Sequence, residues 1–141
     1  MEERYLFKAK RTDNGEWVKG ALVYDGRDKL YRIITEINYS TGTCLTTDNA
    51  PRVDKSTICQ CTGLKDRNGN LIWENDIIEC KNRKHNFQTQ IEWDAYCAGF
   101  IFQDTETSAV GLDAITANGL YSESKVIGNI FDNPELLESE E

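Results

Sequence analysis

Apolar and polar residues alternate with a period of two along most of this chain, the spacing of half-buried β-strands rather than helices. Residues 5–10 place Tyr5, Phe7 and Ala9 on one face. Asp13-Asn14-Gly15 follows, and Asn-Gly is the strongest short hairpin signal. Trp17 to Tyr24 returns with a break at Gly20, Asp25-Gly26 turns again, and residues 30–34 run back. The N-terminal third thus reads as a meander of three strands. Residues 38–56 hold Ser, Thr, Asn, Asp and Pro51 and read mostly as loop, with one short strand at 44–46.

The second block is more regular. Thr57, Cys59 and Cys61 alternate with Ile58, Gln60 and Thr62, so the two cysteines share one strand face. Asn68-Gly69 supplies the positive φ of a tight turn within Lys65 to Asn70, and Asp66 is placed to accept from the turn amides. Leu71-Ile72-Trp73 resumes the apolar pattern, Glu74-Asn75-Asp76 bends the chain with Asp76 as its cap, and a strand starts at Ile77. Residues 88–94 read as one strand with Thr89, Ile91 and Trp93 inward and Gln90, Glu92 and Asp94 outward. Further strands are expected at 100–102 and 125–130.

Helix signals are few. Residues 109–120 read as a short helix weakened by Gly111 and Gly119. Asn133-Pro134-Glu135 has an N-cap residue, a proline at the first helical position and an acid behind it, which predicts one helical turn. Several short strands separated by turn signals predict a small barrel or sandwich.

Composition agrees with a folded chain. Of 141 residues, 39% are hydrophobic and 10% aromatic, against the aromatic-poor profile of disorder. The net charge of −8 is uneven: residues 1–56 are near balance at +1, residues 57–132 carry −5 and the last nine carry −4. A field of that sign disfavours non-specific nucleic-acid binding. The dense basic cluster is Lys81, Arg83, Lys84 and His85, a candidate contact for phosphate with a solvated hairpin tip as the plain alternative.

Five cysteines make an odd count, and the charged start Met1-Glu2-Glu3-Arg4 has no apolar run behind it. No stretch approaches the ~18 apolar residues of a membrane helix. The thiols are therefore expected to be reduced, in a cytoplasm. Cys59-x-Cys61 lacks the second close pair that structural zinc takes, since Cys44, Cys80 and Cys97 stand singly and His85 is the one histidine. No metal or cofactor is expected. Trp17, Trp73 and Trp93 read as core. The carboxylates Asp66, Glu74, Asp76, Glu92 and Asp94 have no spacing that enforces an acid pair. No phosphate loop, nucleophile elbow or paired-His motif is present, so no catalytic residue is assigned.

Two stretches are distinctive: Thr57 to Ile78, with Thr62-Gly63-Leu64-Lys65-Asp66 and Asn68-Gly69 at its centre, and Val126-Ile127-Gly128-Asn129-Ile130 running on to Asn133-Pro134-Glu135-Leu136-Leu137. Together they resemble the YopX family of phage and prophage proteins, as does Trp17-Val18-Lys19-Gly20. Asn75 stands where the family usually has Gly, and Asn tolerates left-handed backbone. The resemblance implies a mainly β protein. A β-rich N-terminal part (1–56) precedes an SH3-like small β-barrel with a short C-terminal helical turn (57–141). It also implies carriage on a bacterial mobile element, and it implies no reaction.

The expected function is a non-enzymatic interaction or assembly module, partnered by its own copies or by a host or phage protein, with no membrane role. Nucleic acid through the 81–85 loop is the main alternative. An acidic mimic of DNA and a hydrolase built on Asp66, Glu74 and Asp76 stand behind it.

Overall fold

Asn14-Gly15 closes the first hairpin: Gly15 has φ +73°, and Asn14 Oδ1 accepts from the Glu16 amide at 2.9 Å. The computed structural model describes residues 3–35, 50–81, 86–104, 109–116, 119 and 121–137. They fall into two compact units, residues 1–61 and 62–141, with the boundary inside one strand. The expected strand at 44–46 lies outside the described residues.

In the first unit, β1 (Phe7–Lys10), β2 (Trp17–Asp25) and β3 (Leu30–Ile34) form an antiparallel meander as the alternation predicts. The start of β4 (Cys59–Lys65) pairs with the free edge of β1 through Phe7↔Gln60 and Lys8↔Cys59. Tyr5 is a correction: it belongs to a single 3-10 turn, Glu3–Tyr5, and is exposed, so β1 begins two residues later than the alternation suggests. Gly20 is another, because β2 runs through it without a break. A Cβ there would lie 2.1 Å from the Ile34 carbonyl oxygen, so its bareness permits close strand approach. The segment Arg52–Val53 bridges back onto Arg32 and Arg11, and Asp54 then caps the 3-10 turn Lys55–Thr57 by accepting from the Ser56 amide at 3.0 Å. Ala9, Ile33 and Val53 are the buried centre, with Val18, Leu22, Tyr31 and Ile58 packed around them.

The second unit contains the rest of β4 beside β5 (Leu71–Trp73), and two antiparallel three-stranded sheets. One has the order β11-β6-β7, from Lys125–Asn129, Asp76–Lys81 and Asn86–Gln90. The other has the order β10-β9-β8, from Ala109–Gly111, Gly99–Gln103 and Glu92–Asp94. Their shared core is Ile72, Ile78, Cys80, Phe87, Ile91 and Phe102, closed by Leu112, Ile115 and Tyr121. The molecule is mainly β, and its sheets are antiparallel. What the pairings among the described residues establish is these ladders; the SH3-like barrel stays an implication of the resemblance.

Two expectations change here. Residues 88–94 are two strands in two sheets, broken at Ile91. The Ile91 amide donates to the Asp76 carbonyl at 2.9 Å and its carbonyl accepts from the Asn75 amide at 2.8 Å, so the 74–76 bend takes its backbone groups away from either ladder. Residues 109–120 do not begin as a helix: Val110 pairs with Phe102 in β10, and Leu112–Ile115 form a 3-10 turn, burying Leu112 and Ile115 three residues apart. A strand partner, the flanking glycines and the cost of nucleating so short a helix all act against the helix. The expected C-terminal turn is present as a 3-10 turn, Pro134–Leu137.

Candidate functional site

The two family-like stretches are held together by hydrogen bonds that explain their polar residues. Asp66 is buried; its Oδ1 accepts from the amides of Asn68 and Asn70, both at 2.9 Å, and its Oδ2 from the Val126 amide at 2.9 Å. Asp76 is buried and caps its bend as expected, accepting from the Trp73 amide at 2.8 Å. Asn75 adopts φ +70°, the left-handed backbone the family's Gly implies, and its side-chain oxygen accepts from Gln90 Nε2 at 3.0 Å. Asn133 does not cap forward; its Oδ1 turns back to the Asn129 amide at 3.3 Å. These carboxylates serve as amide acceptors. Glu92 and Asp94 lie in β8, where Asp94 Oδ1 accepts from the Tyr96 amide at 2.9 Å.

Of the basic cluster, Lys81 ends β6, half-buried and in register with Asn86. Arg83, Lys84 and His85 lie outside the described residues. Cys59 and Cys61 share a buried strand face as the alternation predicts, and Cys80 is buried as well. Burial pushes the Cys80 thiol up to about 11, with Asp104 adding to the effect and the neighbouring Ser124 hydroxyl offsetting part of it. Cys97 is exposed. Among the described residues no three His, Cys, Asp or Glu side chains are grouped so as to hold a metal ion.

Trp73 is core as expected, while the other two tryptophans are corrections. Trp17 is half-buried, with the ammonium groups of Lys8 and Lys10 over its ring at 4.8 and 5.4 Å. Trp93 is 50% exposed, because three-residue β8 is the rim of its sheet and the ring leans edge-on against Phe100, 5.2 Å between centroids. The following turn exposes Tyr96 fully and carries Ala98 at φ +53°. Sequence reading missed this aromatic tip, since alternation alone does not distinguish a rim strand from a central one.

It also missed a groove of about 790 Å³ in the first unit. Tyr24 and Tyr31, directly opposite across β2 and β3, line it with rings 5.2 Å apart and tilted at 60°. Lys10, Arg11, Lys29 and Lys55 contribute to its wall. The legible signal was the charge balance: the first 56 residues hold +1 within a chain of −8. A second cleft of about 670 Å³ lies by Asp66, Arg67 and Ile115.

A small antiparallel β protein in two units, with an aromatic tip on one and a basic groove on the other, is the class these observations define. The chain belongs to the YopX protein family, whose model matches residues 6–138. The crystal structure of protein yopX from Bacillus subtilis is similar at a TM-score of 0.61 and 16% identity, over 96% of this chain and 99% of that one. That likeness is one of fold alone. The crystal structure of protein EF1440 from Enterococcus faecalis is similar at a TM-score of 0.57 and 28% identity, over 94% and 96%. A search of curated proteins finds no match. Among the described residues no helix is long and apolar enough to cross a membrane.

Proposed function

We propose that this protein is a non-enzymatic interaction or assembly module of phage or prophage origin, working in the bacterial cytoplasm. The observation that carries the reading is the exposed aromatic tip, Trp93 and Tyr96, on the rim strand of a small sheet. Large aromatic side chains anchor protein interfaces because they bury much area at little entropic cost. A rim strand has unpaired backbone groups that a second strand satisfies, and a second copy of the chain is the partner always at hand. Buried Asp66 and Asp76 support a binding rather than a reacting role, since their carboxylates accept from backbone amides. The motifs' resemblance to a family of phage and prophage proteins supports the origin, and the exposed Cys97 thiol suits a reducing compartment.

Native mass spectrometry and light scattering test the reading. The wild-type chain is expected to form a defined oligomer, or to capture one protein from lysogenic host cells, and Trp93→Ala with Tyr96→Ser abolishes that association while the fold persists. A monomer that captures nothing overturns it.

A further inference from the structure

The first-unit groove belongs to no part of the reading above, and its chemistry is of another kind. Its volume lies within the range of small-molecule sites. One wall is an aromatic platform: Tyr24 is 56% exposed, Tyr31 is packed beside it, and Leu30 at 41% exposed extends the apolar surface. The opposite character comes from cations. Lys29 and Lys55 line the groove with no ion pair among the described residues.

Two nearby carboxylates, Asp25 and Asp28, are already paired with arginines. Asp25 faces Arg27 and Arg32, each at 3.2 Å, and Asp28 holds Arg32 at 2.6 Å and Arg52 at 3.3 Å. Asp54 lines the groove and keeps its charge, its Oδ1 accepting from the amide and the hydroxyl of Ser56 at 3.0 and 2.8 Å. Arg11 is matched by Asp13 at 2.8 Å. Against the one lining carboxylate, Asp54, stand Lys10, Lys29 and Lys55, so the excess charge facing the groove is positive on a chain whose overall charge is −8.

An aromatic platform beside uncompensated ammonium groups matches a ligand with a planar ring at one end and anionic oxygens at the other. Base–aromatic stacking is independent of sequence, and lysine is a point-charge partner for phosphate. A long polyanion would meet the repulsive field of the remaining surface, whereas a single small anion feels mainly the groove. We propose that this groove binds a free nucleotide, its base against Tyr24 and Tyr31 and its phosphates at Lys29 and Lys55.

Calorimetric titration of the full chain at low salt tests this with ATP, GTP, UTP, inorganic triphosphate and a short single-stranded oligothymidylate. At least one nucleoside triphosphate is expected to bind, with affinity falling as salt rises. Lys29→Gln with Lys55→Gln weakens it by about tenfold or more. Tyr24→Ala weakens the nucleotide but leaves inorganic triphosphate unchanged, which separates stacking from charge. All three positions are at the groove surface, and circular dichroism confirms that each variant is folded. No heat with any nucleotide at millimolar concentration overturns the proposal. So does inorganic triphosphate binding as tightly as the nucleotides, or retention of the oligonucleotide alone. The aromatic-tip variants leave nucleotide binding intact, so the two readings fail separately.

Discussion

The Asp66 carboxylate receives the backbone amide of Val126, sixty residues further along the chain, at 2.9 Å. The same side chain closes its own turn by accepting from Asn68 and Asn70. One buried aspartate therefore orders the Asn68-Gly69 turn and fastens β11 beside it. A similar link joins Asn75 to the second stretch, where the Ile130 amide donates to the Asn75 carbonyl at 3.1 Å. The two family-like motifs meet in space, and their polar residues are joints.

Asp66→Ala leaves three amides without their acceptor. Unmet buried donors cost about 1–3 kcal/mol each, so a loss of about 3 kcal/mol is expected after partial access of water. Asp66→Asn loses less than Ala but still turns a donor toward an N–H. Urea unfolding of the three proteins measures the order wild type, Asn, Ala.

Gly20→Ala sets a Cβ 2.1 Å from Ile34 O and 3.1 Å from Ile33 Cγ2. Strand β3 must move away, at about 1–3 kcal/mol by analogy with overpacked cores. Gly26→Ala meets nothing within 4 Å and serves as the control. Thermal melts that show the two variants equally stable contradict this account of the close approach.

Cysteine accessibility follows burial. In a Cys44→Ser background, Cys97 is expected to react with a thiol reagent at once, and Cys59, Cys61 and Cys80 only after denaturant. The Cys80 thiol lies at about 11 in the folded chain, above its ordinary value of 9.0. Its folded pKa is raised, so its stabilisation is complete below about pH 9 and is lost as pH rises toward about 11. Cys80→Ala flattens that alkaline limb of the stability curve, measured by urea unfolding from neutral to alkaline pH.

Acid behaves oppositely. The Arg27 side chain, chiefly, holds the Asp25 carboxyl below its usual range, and Arg11 does the same for Asp13. Both contribute stability that is present above about pH 4 and is lost as pH falls through their lower folded values. Asp25→Asn removes its share of that dependence, so the mutant's stability falls less steeply in acid than the wild type's. An unchanged acid slope argues against the pairing.

Local chemistry made much of this molecule legible. Period-two alternation located the three strands of the first meander, and Asn14-Gly15 and Asn68-Gly69 marked turns that the backbone confirms with φ of +73° and +83°. Asp66 and Asp76 were assigned their turn-capping roles from neighbours within four residues, where the physics is short-ranged. The basic cluster was legible only as a run of charges; Lys81 is its described member.

Alternation, turn residues and capping groups are properties of adjacent positions, and they determined the β class, the hairpins and the pairing of Cys59 with Cys61 on one buried face. Tertiary structure alone decided that the chain changes sheets at Ile91 and that Trp93 stands on a rim. It also decided that Tyr24, Tyr31, Lys29 and Lys55 line one groove. The reason is that a strand's edge or centre, and the partners across a concave surface, are set by segments distant in sequence. No local pattern encodes which side chains those segments bring within reach.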